Sequence, residues 1–92
     1  MASVKRAHIY YSGSVQGVGF RFAAERFALS IGITGWAKNL ADGRVEVLCE
    51  GSAEEIGRFL QEINRVFKEH VENTEIEWGE PTGEFDTFEI RF

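Results

Sequence analysis

Residues 13–21 read Gly-Ser-Val-Gln-Gly-Val-Gly-Phe-Arg, GSVQGVGFR, between AHIYYS (7–12) and FAAERFALSIG (22–32). The run before it is β-prone, which predicts a strand over 5–12 centred on Ile9, Tyr10 and Tyr11. Beyond it, Phe20, Ala24, Phe27, Ala28 and Ile31 recur at i, i+4, i+7, i+8 and i+11. That is one stripe of an amphipathic helix, and Gly32 closes it as a C-cap. A glycine-rich passage from strand to helix is either ordinary turn chemistry or a cradle for an anion, and the residues around it have to decide.

Outward from there, a second strand is predicted over 33–40 and a third over 44–50, in which Val45, Val47 and Cys49 alternate with Glu46 and Leu48. Between them Asp42-Gly43 marks a hairpin turn. Ser52 with Glu55 three residues later forms a capping box for a second helix, whose apolar face is Ile56, Phe59, Leu60, Ile63 and Phe67. Thr74, Ile76 and Trp78 alternate with Glu75 and Glu77 in a fourth strand. GEPTGEFD (79–86) reads as a loop, and Phe88, Ile90 and Phe92 as one face of a last strand. The order β-α-β-β-α-β with one extra terminal strand predicts an α+β, ferredoxin-like split β-α-β sandwich: an antiparallel sheet with two helices on one face. In that arrangement the first strand and the strand after the first helix are expected at the centre. Val15, Val18, Phe20, Trp36 and Trp78 are read as packing residues, and residues 1–92 as a single domain.

Composition narrows the class. Hydrophobic residues make up 43% of the chain and eight residues are Phe, enough for a packed core. The net charge of −5 argues against nucleic acid, whose phosphate backbone calls for a basic face. No stretch approaches the ~20 apolar residues of a membrane span, and the N-terminus lacks the apolar region of a secretion signal. Cys49 is the only cysteine, and neither His8 nor His70 has a metal-spaced partner. The expectation is a reduced, cytoplasmic monomer with no cofactor, metal, membrane or nucleic-acid partner. Glu69, Glu72, Glu75, Glu77 and Glu80 read as a solvated acidic face, and Cys49 as a buried, unreactive thiol.

The chemistry available to the glycine loop follows from its backbone. Gly13, Gly17 and Gly19 allow successive N–H groups to converge, and the helix that follows adds its positive end. Arg21 lies in the first helical turn, where a cation opposes the dipole by roughly 0.3–1 kcal/mol. A bound anion would justify it, through a donor fork suited to phosphate. The loop has neither the Gly-Lys-Ser/Thr of a Walker A sequence nor the third glycine of a dinucleotide fingerprint. Asn39, just before the hairpin turn, is read either as a turn former or as an amide able to hold and aim a water. Gln16 is read as a brace of the loop.

GSVQGVGFR together with GWAKNLADGRVEVLCEG (35–51) resembles the acylphosphatase family. Its signatures are a G-x-V-Q-G-V-x-F-R loop and a G-W-x-x-N-x-x-D-G-x-V-E block, and both match at each defining position. The resemblance extends over the whole chain, with one departure: VFKEHVENTE (66–75) stands where many members carry a Gly-Pro turn. The resemblance implies hydrolysis of the carboxyl–phosphate bond of a small-molecule acyl phosphate, with inorganic phosphate as product and competitive inhibitor. It implies that Arg21 binds the phosphoryl group and Asn39 positions the attacking water. Main-chain N–H groups of Ser14, Val15, Gln16, Gly17, Val18 and Gly19 would cradle the phosphoryl oxygens. The alternative within the same fold is a non-catalytic module binding phosphate or carbamoyl phosphate. An RNA-binding version is disfavoured because the third strand, RVEVLCE (44–50), is acidic and lacks aromatics. A metal-chaperone version would need a C-x-x-C that is absent.

Overall fold

The computed structural model describes residues 3–92; Met1 and Ala2 lie outside it. The elements are β1 (Val4–Gly13), α1 (Phe20–Ile31), β2 (Thr34–Asn39), β3 (Val45–Ser52), α2 (Ala53–Val66), β4 (Val71–Gly79) and β5 (Phe88–Arg91). They form the expected ferredoxin-like sandwich, with a five-stranded sheet in the order β4-β1-β3-β2-β5.

Two details of the expected sheet are corrected. The sheet is mixed: β1–β3, β1–β4 and β2–β3 are antiparallel, but β5 lies parallel to β2. The chain leaves β4 at one edge, crosses beneath the sheet through residues 80–87, and re-enters at the opposite edge beside β2. Secondly, β1 and β2 are not neighbours, because β3 lies between them. The hairpin at Asp42-Gly43 obliges β3 to pair with β2, and β3's free edge takes β1.

Period-two alternation sorts the sheet into two faces. Ala7, Ile9 and Tyr11 of β1, Ala37 of β2, and Val45, Val47 and Cys49 of β3 are buried beneath Ala24 and Ala28 of α1 and Ile56, Phe59 and Ile63 of α2. Burial pushes the Cys49 thiol up to about 12, so it remains a neutral core group. Near the end of β1, Phe20 joins the two halves of the core, its ring 4.9 Å from Tyr11 and 4.7 Å from Phe67. Trp78 departs from its expected role. It shares the helix-facing side with Ala7, its partner across the ladder, yet is 53% exposed. β4 is an edge strand making its contacts with β1, and the helices sit over the other strands.

At the lower end of the sheet a buried carboxylate fastens the crossover. Glu50 is 4% exposed. It accepts hydrogen bonds from the N–H groups of Thr82 (2.8 Å) and Gly83 (3.0 Å) and from Arg6 Nε (2.8 Å). Burial alone would raise its pKa, but these donors outweigh that and hold it below the usual carboxylate value. Arg6 also reaches Thr82 and Glu84.

Candidate active site

The glycine loop occupies residues 14–19 at the upper end of the sheet, where β1 and β2 both finish. Gly17 and Gly19 have φ of 78° and 79°, the left-handed region that a side chain disfavours. These turns bring the chain sharply out of β1 and into α1. Gly19 is itself the N-cap of α1 and offers no side-chain cap, and the first turn of α1 holds no acidic residue. The start of α2 is different: Ser52 Oγ accepts from Glu55 N–H (3.1 Å) and Glu55 Oε1 accepts from Ser52 N–H (2.9 Å). The expected capping box is therefore present at α2, while α1 begins with donors its own side chains do not cover.

Three attachments fix the loop. Ser14 N–H donates to the His70 carbonyl at 2.9 Å. Val15 is fully buried. Gln16 Nε2 donates to the carbonyls of Leu40 (2.7 Å) and Arg44 (3.0 Å), so the expected brace exists and its other end is the β2–β3 hairpin. That hairpin is closed by Leu40 N–H to Arg44 O (2.8 Å) and by Asp42, which accepts from the N–H and Nε of Arg44. Gln16 thus spans the gap that β3 opens between β1 and β2. It ties the loop to the segment bearing Asn39. Among the described residues, the N–H groups of residues 15–19 donate to no main-chain carbonyl.

A cavity of about 160 Å³ lies over this loop, lined by Val15, Gly17, Gly19, Phe20, Arg21, Phe22 and Asn39. The structure therefore brings together Arg21, Asn39 and three members of the loop. Ser14, Gln16 and Val18 do not line the cavity. Val18 was expected in the core, but it is 37% exposed, because the turns at Gly17 and Gly19 lift it outward.

Arg21 and Asn39 are held differently. Arg21 Nη1 donates to the Arg91 carbonyl (3.1 Å), and its guanidinium carbon lies 4.9 Å from the centre of the Phe92 ring. Among the described residues no carboxylate pairs with Arg21, nor with Arg26 or Arg58, while Arg6 has two such partners and Arg44, Arg65 and Arg91 one each. Of the three unpaired arginines only Arg21 lines the cavity over the glycine loop. Asn39 is the last residue of β2 and pairs with Val45 of β3. Alternation places it on the helix-facing side with Gly35 and Ala37. An unpaired guanidinium, a run of uncommitted amides, a helix start and a primary amide around one small cavity can receive a tetrahedral oxyanion. They can also present a water to it. Phe22 is the lining residue that sequence reasoning missed; it lies next to Arg21 but outside the apolar stripe that marks the buried face.

A family model described as Acylphosphatase matches residues 7–90. The chain is 41% identical to the acylphosphatase of Anaeromyxobacter dehalogenans (strain 2CP-C), with 100% of each chain covered. It is 38% identical to the acylphosphatase of Roseiflexus sp. (strain RS-1), with 98% of each covered. The crystal structure of acylphosphatase from Bacillus subtilis matches with a TM-score of 0.86 at 28% identity, over 96% of this chain and 99% of that one.

Proposed function

The chain belongs to the acylphosphatase family, and on that premise we propose how this hydrolase works: Arg21 and the loop amides hold the phosphoryl group of an acyl phosphate while Asn39 aims a water at phosphorus. The observation that supports this reading is the convergence of Arg21, Gly17, Gly19 and Asn39 on one cavity.

The chemistry asks little more of the protein. Water attacks phosphorus opposite the acyl oxygen, the P–O bond to the carboxylate breaks, and the carboxylate leaves with the electron pair. A carboxylate is a weak base, so its departure needs no general acid. The water's proton passes to a phosphoryl oxygen of the substrate. Charge in the transition state is spread over the equatorial oxygens, so positioning and fixed donors do most of the work. The amides of residues 15–19 and the guanidinium supply those donors, and Ser14, whose N–H is engaged with His70, anchors the loop from behind. The Asn39 side-chain carbonyl accepts a hydrogen bond from the water and so directs a lone pair at phosphorus. The reading extends to hydrolysis without a metal, competitive inhibition by inorganic phosphate, and a cytoplasmic monomer in which residues 1–92 act as one unit.

Phosphate release from benzoyl phosphate and carbamoyl phosphate in excess EDTA tests this. Turnover of both, inhibited competitively by inorganic phosphate, is expected. Loss of turnover on chelation would overturn the metal-free reaction. Binding of carbamoyl phosphate without turnover of either compound would point to the non-catalytic module.

A further inference from the structure

The cavity is small for its task. At about 160 Å³ it is well below the roughly 300–1,000 Å³ of sites that enclose a whole small ligand. A phosphoryl group seated against Gly17, Gly19 and Arg21 leaves the acyl group at the rim. What the rim offers is apolar. Phe22 lines the cavity yet is 66% exposed, and none of the aromatic pairs among the described residues includes it. Its neighbour Phe20 is buried in the stack with Tyr11 and Phe67, so the helix turns one ring into the core and the next toward the mouth of the site. Phe92, against Arg21, is 94% exposed. A single exposed apolar residue on a protein surface requires no explanation. Two unburied phenyl rings beside the arginine of an anion cavity form an apolar margin around a polar centre.

We propose that Phe22 is a specificity-determining residue that seats the acyl group, favouring acyl phosphates with an aryl or bulky alkyl group over those with a small or charged one. This rests on the phosphoryl-binding reading of the same cavity. The carboxyl–phosphate linkage carries the acyl group past the guanidinium toward the mouth, where a flat apolar group covers the exposed face of Phe22. Stacked or edge-on ring contacts contribute beyond the area they bury. A methyl or amino group covers little of the ring, and a carboxylate-bearing acyl group loses hydration there without gaining a partner.

The test compares the parent chain with Phe22→Ala and Phe22→Leu on benzoyl phosphate and acetyl phosphate, with inorganic phosphate as inhibitor. In Phe22→Ala the ratio of kcat/KM for benzoyl over acetyl phosphate should fall about three- to tenfold, mainly through KM for the benzoyl compound. Phe22→Leu should recover part of it, and the inhibition constant of inorganic phosphate, which has no acyl group, should move little. An unchanged ratio, or an equal loss on both substrates, would overturn the acyl seat while leaving the hydrolytic reading in place. A parent chain that releases phosphate from neither substrate would overturn that reading instead, and this inference with it.

Discussion

Two loops in this molecule set an arginine beside main-chain N–H groups. At the lower end of the sheet Arg6 and the amides of Thr82 and Gly83 surround Glu50, an anion the chain itself supplies. At the upper end Arg21 and the loop residues Val15, Gly17 and Gly19, whose N–H groups donate to no main-chain carbonyl, line a cavity. The donors are of the same kind, but the first set is satisfied within the fold and the second is not. The first arginine is neutralised by two carboxylates, and the second is steadied only by a carbonyl and a ring. One arrangement holds a crossover in place; the other leaves a focused positive site in a chain of net charge −5. What marks the upper loop is an unpaired arginine together with uncommitted amides on one cavity, since Arg26 and Arg58 also lack a carboxylate partner but do not line it.

The largest effect is expected from removing the upper arginine. Arg21→Ala is expected to lower kcat/KM about 10³–10⁵-fold, the range associated with an arginine that stabilises a phosphoryl-transfer transition state. Thermal unfolding should show stability unchanged or raised by roughly 0.3–1 kcal/mol, because the cation opposes the dipole of α1. A large loss of stability with kcat/KM preserved would make Arg21 a structural arginine like Arg6. Asn39→Ala comes next. Removing one positioned hydrogen-bonding group should lower kcat by about 10²-fold, with inhibition by inorganic phosphate near the parent value. Kinetics at saturating benzoyl phosphate separate the two terms, and a weakened phosphate interaction would move Asn39 from the water to the cradle.

The two loops were not equally readable in the sequence. GSVQGVGFR is local: glycines, helix start and arginine fall within nine residues, so their joint meaning can be read along the chain. Asn39 was noticed for a similar reason, lying beside a turn its residue type explains; Gln16 was read as a brace, but its partners on the hairpin, 24 and 28 residues away, were not. The Glu50 clamp was not legible, since its partners are 32 and 44 residues away and the loop they hold has no pattern of its own. The parallel entry of β5 depends on that same crossover. Trp78 alternates as a core residue would, and its exposure follows from which strand the helices fail to cover, a matter of three-dimensional placement. Val18 shows the reverse limit, because a valine between two left-handed glycines is lifted out whatever its apolarity.

The smallest expected effect belongs to the lower loop, and it separates stability from function. Glu50→Gln keeps the shape but removes the charge and turns an amide donor toward groups that already donate. A loss of about 2 kcal/mol at pH 7 is expected from urea unfolding, the scale of a buried, charge-assisted hydrogen bond. The pH dependence distinguishes this from simple mispacking. Glu50 titrates below its ordinary value in the fold, so its contribution is fully present above the unfolded carboxylate pKa of about 4.3. It is lost as pH falls through the lower, folded value. The gap between parent and Glu50→Gln should therefore be constant from pH 7 to about pH 5 and shrink steadily below pH 4. A gap that stayed the same at pH 3 would mean that the carboxylate's charge is not what fastens residues 80–87. Hydrolysis by the folded variant is the complementary readout. Arg91 and Phe92, which steady Arg21, lie at the far end of the strand this crossover delivers. Retained kcat/KM would show that β5 keeps its register beside β2 without the clamp, and so that the satisfied anion site serves stability while the unsatisfied one serves chemistry.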